Sequence, residues 1–138
     1  MNNDLKIAKD QIEKNLYSIV VVRDGQVLFH SNERGISALL SILNNGSDEL
    51  SSSFIADKVV GRAAALLFCF GKVSGVYAHL ISKCAYQILN DNKIDIYYDN
   101  IVEHIINRDK TDICPMEKTC LDITDPVEAY KNLKKMIT

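Results

Sequence analysis

The chain has 138 residues, a formal net charge of −2, 47% hydrophobic and 25% charged residues. That length suits a single domain over 1–138 whose core needs neither disulfide nor metal staples, and the near-neutral charge excludes the broad basic surface of a nonspecific nucleic-acid binder. The longest apolar stretch, Val59 to Phe70, is interrupted by Gly61 and Arg62 and is too short for a membrane span.

Leu5, Ala8, Ile12 and Leu16 recur at helical spacing between lysines and acids, which predicts an amphipathic first helix. Tyr17 to Arg23 and Gln26 to His30 are β-rich runs joined by Asp24-Gly25, a pair suited to a hairpin turn with positive φ. Ile36, Leu39, Leu40, Ile42 and Leu43 form a short helical cluster that Asn44-Asn45-Gly46 should end, followed by a polar loop over Ser47 to Ser53. A buried helix is expected next. It opens at Ala56-Asp57-Lys58, carries Val59, Val60 and Ala63 to Phe68 on nearly every face, and stops at Gly71.

Ser74 to Ile81 reads as a strand, Cys84 to Leu89 as a helix and Ile94 to Tyr98 as another strand, an order that implies a parallel crossover. Ile101, Val102, Ile105 and Ile106 suggest a further helical stripe before the polar run Asn107 to Asp112. Asp125, Pro126 and Glu128 match an N-cap, a first-turn proline and a third-position carboxylate. They start a terminal helix bearing Val127, Tyr130, Leu133 and Ile137.

Charged residues at the head of the expected buried helix mark the first candidate site. Lys58 and Arg62, placed one turn apart on one helix face, would grip a phosphate or carboxylate beside free helix amides, with Asp57 orienting Lys58. Gly61 inside that helix is explained by close approach of the sheet or a ligand. The competing reading lets both cations snorkel to solvent or pair with Asp57.

Cys114-Pro115-Met116-Glu117 carries the second. With Cys114 as N-cap and Glu117 at the third position, a helix dipole would lower the thiol pKa and create a nucleophile. In the competing reading Asp112 caps the helix and Cys114 is buried. Asn107 and Arg108 close a helical stripe by default, and alternatively bring a lid over the anion site. His79 is expected as a hydrogen-bonded core residue and His30 as an outward one.

The order helix, hairpin, buried helix, strand, helix, strand resembles the cytidine-deaminase-like fold. Ala56 to Ala65, Asn107-Arg108 and Cys114 to Lys118 resemble, more specifically, the prokaryotic domain-of-unknown-function family DUF1893. The resemblance implies a three-layer α/β fold: a mixed sheet of about five strands, an N-terminal antiparallel hairpin, parallel crossovers and helices on both faces. It brings no established activity.

Zinc deaminases need His or Cys, one residue, then Glu at one helix start, and Pro-Cys-x-x-Cys at the next. Here Asp57 is followed by Val59 where the Glu belongs, and Ser82-Lys83-Cys84 has no second cysteine at ligand spacing. Cys114 and Cys120, and the scattered His30, His79 and His104, show no zinc spacing either. No metal, no cofactor and no zinc-dependent deamination are expected. With a polar N-terminus and Cys69 and Cys84 in apolar runs, a cytoplasmic protein is expected.

Three functions follow from these residues. The leading one binds a small anionic ligand, such as a nucleotide or related metabolite, through Lys58, Gly61, Arg62, Asn107 and Arg108. The second is a cysteine-dependent enzyme in which Cys114 attacks an electrophile and Asp57 or Glu117 handles the proton. The third is a non-catalytic interaction or regulatory protein acting as a homodimer.

Overall fold

Asn2 starts the first helix, its Oδ1 accepting from Leu5 N at 3.1 Å, and α1 runs over Asn3–Lys14. The structure, a computed structural model, describes residues 1–33, 36–44, 50–105 and 123–137. Leu16 falls beyond α1 and is 86% exposed, so the buried stripe is Leu5, Ala8 and Ile12 alone. Asp4, in the first turn, also accepts from the turn amides of Asp24 at 3.1 Å and Gly25 at 2.9 Å. One carboxylate thereby serves the positive end of α1 and ties it to the hairpin.

That hairpin joins β1 (Ile19–Arg23) to β2 (Gln26–Ser31), with both turn residues at positive φ, 54° for Asp24 and 77° for Gly25. The remaining elements are α2 (Ser37–Asn44), β3 (Phe54–Val60), α3 (Arg62–Phe70), β4 (Gly75–Ser82), α4 (Lys83–Asp91) and β5 (Asp95–Val102). A final helix, α5, spans Pro126–Ile137, with Asp125 Oδ1 accepting from Val127 N at 3.2 Å. The five strands form one mixed sheet in the order β2-β1-β3-β4-β5. β1 is antiparallel to both neighbours, and β3, β4 and β5 run parallel.

Strand alternation sorts the side chains into two cores. Val20, Val22, Ala56 and Tyr77 meet Leu5, Ala8 and Ile12 of α1 on one face. Ile19, Val21, Ile55, Val76 and Ala78 meet the apolar sides of α2, α3, α4 and α5 on the other. The result is helix, sheet, helices. Phe68, Leu66 and Leu67 are fully buried on α3, each contributing about 2–3 kcal/mol of transfer free energy.

Three expectations need correction. Phe54 to Val60 is a strand, so the apolar helix starts at Arg62 rather than at Ala56. Ile101 and Val102 finish β5, because β4 offers parallel partners as far as Ser82 and the strand continues beside it. Leu50 and Ser53, placed in a polar loop by their neighbours, are buried, with Ser53 Oγ donating to Leu50 O at 2.6 Å.

Candidate functional site at the helix starts

β3 passes into α3 through one residue. Gly61 is the N-cap with extended backbone, φ −101° and ψ −173°, and offers no side-chain cap. It therefore sits outside the helix interior where the sequence reading placed it. At the end of β4, Ser82 caps α4, its buried hydroxyl accepting from Ala85 N at 3.1 Å. Both helices thus begin at the carboxyl ends of parallel strands, where open α/β sheets hold their ligands.

Arg62 joins these helix starts. Its Nη1 donates to Cys84 Sγ at 2.6 Å, and its Nη2 donates to Ile123 O at 2.5 Å, on the lead into α5. The thiol and the carbonyl orient the guanidinium between the two helix starts. Neither α3 nor α4 carries an acid in its first turn, whereas α5 has Glu128. Lys83, first in α4, reaches Glu103 at 2.5 Å in an exposed pair, and that contact lowers the Glu103 pKa.

Asp57 stands in the middle of β3, between Ile19 and Ala78 in register. Desolvation raises its pKa from the ordinary 3.8 to about 7, opposed by bonds from the amides of Val59 and Lys58. The Val59 amide is 3.3 Å from Oδ1. A carboxyl titrating near neutrality can take up or release a proton under working conditions.

Lys58 and Arg62 do not share a helix face. Lys58 is an exposed residue of β3, before Gly61, while Arg62 opens α3 beyond it. Asn107, Arg108, Cys114 and Glu117 lie outside the described residues. Sequence reading missed Cys84 as a partner of Arg62, since 22 residues separate them and only packing of α3 on α4 joins them. His79 is not a core residue. Its side chain is 64% exposed and its Nδ1 lies 3.1 Å from Asp99 Oδ2. His30 is exposed as expected and stacks on Tyr17.

Among the described residues, no group of three or more His, Cys, Asp or Glu could hold a metal ion, and no helix is long and apolar enough to cross a membrane.

Residues 7–137 match the family described as TM1506, domain of unknown function (DUF1893). The chain belongs to the DUF1893 family. A crystal structure at 2.70 Å of a DUF1893 family protein (TM1506) from Thermotoga maritima is similar to it throughout. The two share 27% identity with a TM-score of 0.90, over 99% of this chain and 91% of that one. No curated protein matches the chain. The DUF1893 match thus covers the sheet and the helix starts together, so the Arg62 bridge sits inside the family's domain.

Proposed function

We propose that this DUF1893 chain is a cytidine-deaminase-like protein without the zinc motifs. It binds a small anionic ligand, such as a nucleotide or related metabolite, where α3 and α4 begin. The observation that carries this reading is the Arg62 bridge from the first residue of α3 to Cys84 in the first turn of α4. It brings two helix N-termini together at the carboxyl ends of β3 and β4, and oriented amides, helix dipoles and a guanidinium together favour negative charge. The fold part is supported by the strand order, with an antiparallel hairpin at one edge and three parallel strands linked through α3 and α4. The nucleotide part rests on fold analogy.

Asp57 would supply a protonatable group nearer the middle of the sheet. The free thiols Cys69 and Cys84 suit a reducing compartment, which supports a cytoplasmic placement. A homodimer is proposed as the working assembly, by analogy with other small folds of this type.

Native mass spectrometry of the purified chain, followed by calorimetric titration with a nucleoside monophosphate and with inorganic phosphate, tests the reading. Arg62→Met should weaken binding at least about tenfold, and Arg62→Lys should weaken it less. Circular dichroism of both variants separates lost binding from lost fold. Unchanged affinity in a folded Arg62→Met protein would refute the site, and so would the absence of any saturable heat with either anion.

A further inference from the structure

A polar row crosses the sheet on the α1 side, away from the helix starts. Tyr77 of β4 packs against α1 and its hydroxyl reaches Asp99, and Lys58 is exposed on the neighbouring β3. Asp57 pairs with Ala78 and Val59 with Leu80, which sets Lys58 beside His79. Ala78 pairs with Tyr98 and Leu80 with Asn100, which sets His79 beside Asp99. Three adjacent parallel strands thus place a lysine, a histidine and an aspartate in line.

The aspartate end is fixed. Asp99 Oδ2 accepts the Tyr77 hydroxyl and lies 3.1 Å from His79 Nδ1. Tyr77 is only 3% exposed and belongs to the cluster of Leu5, Ala8 and Ile12, so its hydroxyl holds Asp99 at a set point. From α1, Lys9 lies over the Tyr77 ring at 5.1 Å and pairs with Glu13 at 3.7 Å, which keeps a cation near Asp99 as well.

The lysine end is open. With Nδ1–H directed at the carboxylate, the imidazole orientation is fixed and Nε2 lies on the far edge of the ring. No described residue bonds to Nε2, and no described carboxylate pairs with Lys58. The two groups face water from neighbouring strands about 4.8 Å apart, a spacing that suits two oxygens of one small anion.

We propose that Lys58 and His79, the latter oriented by Asp99, form a second ligand site on the α1 side of the sheet for a small oxyanion of the phosphate or carboxylate type. The Lys58 ammonium and the Nε2–H of the imidazolium donate to its oxygens as charge-assisted hydrogen bonds. Asp99 contributes as a positioning residue, because its Oδ2 is already taken by Tyr77 and His79. The site shares no residue with the Arg62 bridge.

Proton–nitrogen correlation spectra of the histidine rings in the full chain test the proposal. Sodium phosphate, and in parallel sodium acetate, is titrated against sodium chloride at constant ionic strength. The His79 ring signals should move saturably with at least one of the two anions, and those of His30 and His104 should move less. Lys58→Gln, a change at an exposed position, should weaken that response about tenfold. Asp99→Asn should weaken it too, and Arg62→Lys should leave it unchanged. A linear drift shared by all three histidines would overturn the proposal, as would undiminished binding in Lys58→Gln. Loss of the response in folded Arg62→Lys would also overturn it, since the anion would then sit at the helix starts.

Discussion

Asp57→Asn isolates the energetic consequence of placing a carboxyl within β3. Burial raises the Asp57 pKa from 3.8 to about 7. At about 1.4 kcal/mol per pH unit this corresponds to about 4 kcal/mol between the ionised and neutral forms. Asp57 keeps partial access to water, which reduces the effect to about 2–4 kcal/mol. The sign follows from proton counts. Below pH 3.8 both native and unfolded chains hold the proton; between 3.8 and about 7 the native chain holds more, so stability falls as pH rises through that window and levels off above it. Asparagine cannot ionise, yet it keeps an oxygen for the Val59 amide. Urea unfolding of both proteins at about pH 5, 6, 7 and 8 should therefore show the variant gaining on the parent as pH rises, ending about 2–4 kcal/mol ahead. Parallel pH profiles, or a parent that gains on the variant with rising pH, would refute the desolvation account.

Gly75→Ala should destabilise the sheet by about 1–3 kcal/mol, because the new Cβ would lie 2.8 Å from Phe54 Cδ1 on the paired strand. Thermal unfolding reads the loss, and Phe54→Leu in the same chain should recover part of it; no recovery would locate the strain elsewhere. Burial pushes the Cys69 thiol up to about 11, so peptide-mapped alkylation near neutral pH should be far slower at Cys69 in the native protein than in urea. Equal rates in the two states would contradict its placement on α3.

The parts legible from sequence were those whose signals are local. Asp24-Gly25 fixed the hairpin through backbone conformation, and Asp125-Pro126 fixed the start of α5 through capping. The boundary between β3 and α3 was harder. Phe54-Ile55 and Val59-Val60 are β-favouring pairs, but the Ala-rich run begins three residues after Val60 and only Gly61 and Arg62 intervene. Periodicity alone does not divide a continuous apolar run of this kind. The same limit affected the end of β5. Ile101, Val102 and Ile105 have spacings that fit a helix, while pairing with Ile81 and Ser82 holds the first two in a strand.

The candidate site divides along the same line. Residue chemistry pointed to Asp57, Lys58 and Arg62 as polar exceptions in apolar surroundings, and it argued against a zinc deaminase through the missing Glu and second cysteine. Their grouping came from contacts distant in sequence. One extended residue, Gly61, leaves Lys58 on the strand and Arg62 at the head of the helix. Packing of α3 on α4 then gives Arg62 to Cys84, and strand register aligns Lys58 with His79 and His79 with Asp99. Local patterning states which residues are out of place in a core. Pairing and packing, which depend on the whole chain's burial of apolar surface, choose their partners.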